Sequence, residues 1–251
     1  MISEFPLFLF TLLAGLSAGF CAVRALVPVA GWQGRRWTVP AAALALLGLG
    51  LVCVWFHLGR MERVLNAMAN PQAGICQEAY CSIVLGVLLL IELVMEVRGR
   101  KVPRGLPIAS GVVALVLAVV MGFAYVGNYA VPAWTDWSTV RLYAVADVAM
   151  GAALVGLFEP ACYEKPALLA TSVVAQVLVV LTFVLVGMHF AHVGRSTVPF
   201  AAAAVLAGAV PFALTMVARK KPSAELAAAM LACSVIGVAV ARYAFYAASI
   251  L

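Results

Sequence analysis

The sequence predicts an all-α integral membrane protein, a bundle of about eight transmembrane helices, and three observations carry that prediction. Of 251 residues, 66% are hydrophobic and only 10% charged, and mean hydropathy is strongly positive, a composition that excludes a soluble globular domain. The apolar residues fall in runs of about 20, the length at which a helix crosses a hydrocarbon core of roughly 30 Å. Each run is too long for a membrane strand and too uniformly apolar for a soluble amphipathic helix.

Bounded by Pro, Gly and charge, the runs lie near residues 5 to 27, 39 to 59, 77 to 97, 105 to 127, 138 to 159, 166 to 188, 198 to 217 and 224 to 248, with boundaries good to about four residues. So many spans leave no length for a soluble catalytic domain, and residues 1–251 read as a single transmembrane domain. The first run follows Glu4 and lacks a basic leader region and a small-residue cleavage site, so it is expected to be an anchor and not a cleaved signal. The last four runs are rich in Ala, which suits close helix packing.

The net charge of +6 sits in short Lys and Arg clusters between the runs, a topology signal and not a nucleic-acid footprint. Connections after the first, third, fifth and seventh spans hold Arg24, Arg35, Arg36, Arg98, Arg100, Lys101, Arg104, Lys165, Arg219, Lys220 and Lys221, against Arg60, Arg63, Arg141 and Arg195 in the others. By the positive-inside rule both termini are expected to face outward, as in the cytoplasmic membrane of a prokaryote. The six cysteines are scattered with no C-x-x-C or ferredoxin-like run, so no disulfide, iron–sulfur or c-type haem ligation is expected in this chain.

In that orientation the chemically unusual residues gather at the outer end. His57 closes span two and Glu78 opens span three; a histidine of near-neutral pKa accepts a proton, and a carboxylate at an apolar boundary relays it. Interfacial residues solvated by headgroups are the plainer reading of the same pair. His57-Leu58-Gly59-Arg60 and His192-Val193-Gly194-Arg195 end spans two and six, a hint of two duplicated four-helix halves against which chance competes. Asp147 and Arg242 lie inside spans five and eight, where an unpaired charge costs at least ~2.5 kcal/mol. They are expected to face protein or water and are at depths that allow a pair, either structural or part of a site. His189 and His192 invite a haem between facing helices, yet only three histidines exist and no haem is expected. Tyr125, Tyr129, Trp134 and Trp137 read as an interfacial aromatic belt or, alternatively, a pocket wall. Glu92 and Glu96 stand near Arg98 and Arg100, where local pairing and snorkelling account for them.

Phe56-His57-Leu58-Gly59-Arg60, followed by Arg63, Asn66, Ala67 and then Glu78, resembles the membrane anchor subunit of the dimethyl sulfoxide reductase family. Pro132-Ala133-Trp134 is similar to that family's proline-x-tryptophan loop, and Arg242-Tyr243-Ala244-Phe245-Tyr246 to its Arg-x-x-Phe-Tyr ending. The resemblance implies a three-part complex of anaerobic respiration: this anchor, an exported iron–sulfur subunit and a molybdopterin catalytic subunit. It implies that this chain binds and oxidises menaquinol near the outer face. His57 would accept the quinol's proton, Glu78 would shape the site or pass the proton outward, and Arg242 would orient the quinol or hold the pocket. Two other classes compete: an ion-coupled transporter built on Asp147 and Arg242, and a purely structural anchor.

Overall fold

Proline opens several of the apolar runs, where its missing N–H is one of the helix's unpaired donors in any case and its fixed φ suits the first turn. Pro166 opens one helix, and Pro6 and Pro199 follow the first residue of two others. The computed structural model describes residues 4–57 and 69–249, with only the backbone of His57. Among these residues eight helices are long and apolar enough to cross a membrane. They are α1 (Phe5–Leu26), α2 (Thr38–His57), α3 (Gly74–Val97), α4 (Gly105–Val126), α5 (Ser138–Phe158), α6 (Pro166–His192), α7 (Val198–Ala218) and α8 (Ala224–Ala247). Each of the eight expected spans is matched by one of these; α6 runs four residues beyond its expected end and α3 starts three residues early. At 1.5 Å per residue the 22 residues of α1 extend about 33 Å, enough to span a bilayer core.

Helix ends follow local chemistry. Ser223 caps α8, its Oγ accepting from the Leu226 N–H at 3.2 Å, with Glu225 in the first turn favourably placed against the helix dipole. Gly99 and Gly194 take φ of 66° and 74°, and in each case the next N–H reaches back five residues, Arg100 to Met95 and Arg195 to Phe190. This is the Schellman stop that glycine makes without strain. His192-Val193-Gly194-Arg195 is therefore a helix C-cap, whereas Leu58, Gly59 and Arg60 of the matching motif, with Arg63 and Asn66, lie outside the described residues. In α7, Pro211 has no N–H to donate, and the preceding Val205–Ala209 winds as a π-helix whose Val210 N–H reaches Val205 O.

Because consecutive helices run antiparallel, the bundle has two ends. One gathers the starts of α1, α3, α5 and α7 with the ends of α2, α4, α6 and α8, and contains Glu78. The other gathers the opposite termini and contains Arg24. Helices α1 and α5 occupy the centre, 72% and 67% of their spans buried. Branched and long apolar side chains such as Val84, Val87, Leu181 and Val184 are exposed on the perimeter, the surface that lipid covers.

Candidate functional site

The centre is built on close backbone approach. Gly15 and Gly19 of α1 face Asp147 and Gly151 of α5, both pairs spaced four residues apart on one helix face. A Cβ on Gly15 would meet the Asp147 carboxylate, one on Gly19 the Asp147 backbone, and one on Gly151 the backbone of Gly19. Small residues at this spacing let the two helices touch, and the approach buries Asp147 completely. Its Oδ1 lies 2.5 Å from Nη2 of Arg242 on α8. Arg242 is also fully buried, and its Nη1 donates to the Thr11 carbonyl of α1. One ion pair thus ties three helices, as the sequence depths of Asp147 and Arg242 allowed.

Toward the Glu78 end the pair continues into an aromatic cluster. The Arg242 guanidinium lies 4.6 Å from the centre of the Tyr143 ring, a cation–π contact strengthened by the full burial of both side chains. Tyr143 donates to the Tyr246 hydroxyl at 3.0 Å, Tyr125 and Tyr246 hydroxyls lie 2.7 Å apart, and Tyr246 reaches Thr11 Oγ1 at 3.3 Å. Tyr246 is the hub of four helices' hydroxyls. Trp134, in a short 3-10 turn before α5, stacks on Phe245 with ring centres 5.3 Å apart and donates its indole N–H to the Phe245 carbonyl at 2.7 Å.

Glu78 stands beside this cluster. It is 4% exposed, close enough to interact electrostatically with Tyr125, Tyr143 and Tyr246, and its Oε1 has no hydrogen-bond partner among the described residues. Ser82, one turn further along the same face of α3, has an equally buried and unpartnered Oγ. Buried polar atoms are nearly always paired, so two such atoms on one face mark a place where something polar is accommodated.

Of the residues singled out in the sequence, Arg242 lies against the tyrosine cluster through the Tyr143 ring, and Glu78 lies within electrostatic range of the same cluster. His57 is the last residue of α2, which packs on α3, but its side chain lies outside the described part. His189 is elsewhere, its Nε2 3.0 Å from the Pro132 carbonyl, where it ties the end of α6 to the turn before α5. In that turn Asp136 accepts from the Ser138 N–H at 2.7 Å; burial pushes its carboxyl up, but the Ser138 contacts outweigh burial and hold it below the usual range. The aromatic belt expected at 125–137 divides. Tyr129 and Trp137 are 83% and 62% exposed, whereas Tyr125 and Trp134 belong to the core. Tyr143 and Thr11 had no signal in the sequence beyond being polar groups within apolar runs.

The opposite end corrects a second expectation. Glu92 does not pair locally with Arg98 or Arg100; it is buried and takes Arg24 of α1 at 2.5 Å and the Ser110 hydroxyl of α4 at 2.5 Å. Arg98 caps the helix six residues on, turned about 120° away from Glu92, and the partner comes instead from another helix. Arg24, read as a topology charge, is in fact a buried one. Glu159, just past α5, accepts from the Ala30 N–H at 2.7 Å and from Lys165 Nζ at 2.9 Å.

A bundle of eight helices, each long and apolar enough to cross a membrane, with polar groups enclosed between them, is a multi-pass membrane protein. Residues 1–247 match the family model described as DMSO reductase anchor subunit (DmsC), and the chain belongs to that family. It is accordingly a membrane anchor of a DMSO reductase-type complex, which implies catalytic and electron-transfer partner subunits as well as the lipid bilayer. No curated protein matches the chain at a significant level.

Proposed function

We propose that this anchor binds menaquinol beside Glu78, near the outer membrane face, and oxidises it, passing the electrons to an iron–sulfur partner subunit. A molybdopterin catalytic subunit on the same side would consume those electrons in anaerobic respiration. The observation that carries the reading is the buried Glu78 carboxylate, whose Oε1 has no partner among the described residues and which lies within electrostatic range of three linked tyrosine hydroxyls. Leaving a carboxylate oxygen so costs about 1–3 kcal/mol or more, a cost that a quinol hydroxyl donating to it would offset.

Oxidation of a quinol releases two protons with two electrons. His57, ending α2 just before the connection that leads to Glu78, accepts one proton; Glu78 accepts a hydrogen bond and passes a proton outward. Arg242, paired with Asp147, holds the floor of the site through the Tyr143 ring. With the site outside, the protons are released on the side where the electrons are consumed, so the step stores no membrane potential. The transporter alternative depends on Asp147 and Arg242, which are already paired with each other and enclosed by three helices.

The test compares quinol-analogue oxidation by the assembled complex in wild type, His57→Gln and Glu78→Gln, with partner subunits confirmed at equal stoichiometry. Loss of quinol-driven turnover in both variants, with turnover from an artificial donor retained, supports the reading. Unchanged quinol turnover in both moves the quinol site away from His57 and Glu78 and overturns the reading. Reporter fusions that put the termini in the cytoplasm would overturn the outward placement of the site.

A further inference from the structure

At the end opposite Glu78, a cavity of about 550 Å³ opens between the ends of α1, α3 and α5 and the starts of α2, α4 and α6. Four cations line it, Arg24, Arg36, Arg104 and Lys165, together with Glu92, Glu96 and Glu159. Two of the carboxylates are taken: Glu92 by Arg24 and Glu159 by Lys165. Among the described residues no ion pair holds Arg36, Arg104 or Glu96, which leaves two guanidiniums and one carboxylate facing a common space.

The walls are fixed before any ligand arrives. Glu159 clasps the connection after α1 through the Ala30 N–H, and Trp32 packs edge-on against Phe158 with ring centres 5.8 Å apart. Arg24 at the base is 7% exposed, and its Nε is buried with no hydrogen-bond partner among the described residues. Above a base closed by the Arg24–Glu92 pair, two guanidiniums at the rim and one carboxylate, none in an ion pair among the described residues, match a ligand carrying a phosphate and, beside it, an amine. Guanidinium binds phosphate oxygens in bidentate geometry, and basic pockets between helix ends at the membrane boundary suit lipid headgroups.

We propose that this cavity binds the headgroup of an amine-bearing membrane phospholipid, Arg36 and Arg104 holding the phosphodiester and Glu96 the ammonium. The inference is independent of the quinol reading, since it concerns the other end of the bundle. The lipid would bridge the termini of α1 to α4, making the anchor's stability depend on the lipid around it.

The purified complex, delipidated in detergent, is titrated with short-chain phosphatidylethanolamine, short-chain phosphatidylglycerol and inorganic phosphate, with binding read by native mass spectrometry and by melting temperature. Phosphatidylethanolamine is expected to bind most tightly and to raise the melting temperature. Arg36→Gln with Arg104→Gln is expected to weaken its binding about tenfold or more. Glu96→Gln is expected to abolish the preference over phosphatidylglycerol. Arg36 and Arg104 are exposed, so the double variant should fold, which an unchanged melting temperature without lipid verifies. Equal phosphatidylethanolamine binding by the double variant overturns the site. Saturation by inorganic phosphate at the same concentration overturns the lipid as its source, and a phosphatidylglycerol affinity equal to that of phosphatidylethanolamine in wild type overturns the role of Glu96.

Discussion

Arg242 on α8 and Asp147 on α5 form a 2.5 Å ion pair with no solvent exposure on either side chain, and Thr11 of α1 accepts the guanidinium's other amino group through its carbonyl. Burying one of these charges without the other is far costlier than burying both. Asp147→Asn and Arg242→Met alone should each destabilise the bundle by ~3–5 kcal/mol, whereas Asp147→Asn combined with Arg242→Met should lose less than the sum of the two. A double-mutant cycle on thermal unfolding in detergent measures the coupling, and additive losses would show that the pair is not the tie between the helices.

Tyr246 collects the hydroxyls of Tyr125, Tyr143 and Thr11. Tyr246→Phe keeps the ring's edge-on contacts with Phe8 and Tyr125 but leaves the surrounding hydroxyls without their hub. The expected result is a loss of ~1–3 kcal/mol in stability, with quinol-driven turnover falling by more than artificial-donor turnover. Equal falls in the two rates would assign the cluster to scaffolding alone.

The α1–α5 crossing admits no side chain at Gly151, where even a Cβ would run into the Gly19 backbone. Backbone on both sides cannot swing aside as a side chain tip does, so the helices must separate. Gly151→Val should cost more than the ~1–3 kcal/mol of ordinary overpacking and sharply lower the yield of folded protein by size-exclusion chromatography. Gly48→Val, at a position where an added Cβ meets no neighbour within 4 Å, is the control and should leave the yield unchanged.

Stability should depend on pH through Glu159. Burial pushes its carboxyl up, but the Ala30 N–H and the Lys165 and Cys162 contacts outweigh burial and hold it below the usual glutamate range. A carboxyl whose pKa falls on folding contributes stability that is complete above its unfolded value of about 4.3 and is lost as pH drops through the folded value. The melting temperature should therefore decline below about pH 4 more steeply in wild type than in Glu159→Gln. Identical acid limbs for the two proteins would remove Glu159 from the account.

The eight helices were legible because a membrane span is a local property: some twenty apolar residues and a Pro, Gly or charge at each end decide it without reference to any partner. The need for Asp147 and Arg242 to face inward was legible for the same reason, since lipid tolerates neither. The resemblance of the histidine-leucine-glycine and Arg-x-x-Phe-Tyr segments also placed the chain in its family. Tertiary structure alone decided which residues meet. Arg24 and Glu92 are 68 positions apart, and no local spacing announces that a topology charge becomes a buried partner. Tyr125 and Trp134 belong to the core and not to the interface because α4, α5 and α8 converge on them, while Tyr129 and Trp137, a few residues away, remain outside. The physical reason is that insertion into the bilayer reads each segment's transfer energy by itself, whereas the polar interior forms afterwards from whichever faces the glycine-rich crossing of α1 and α5 brings together.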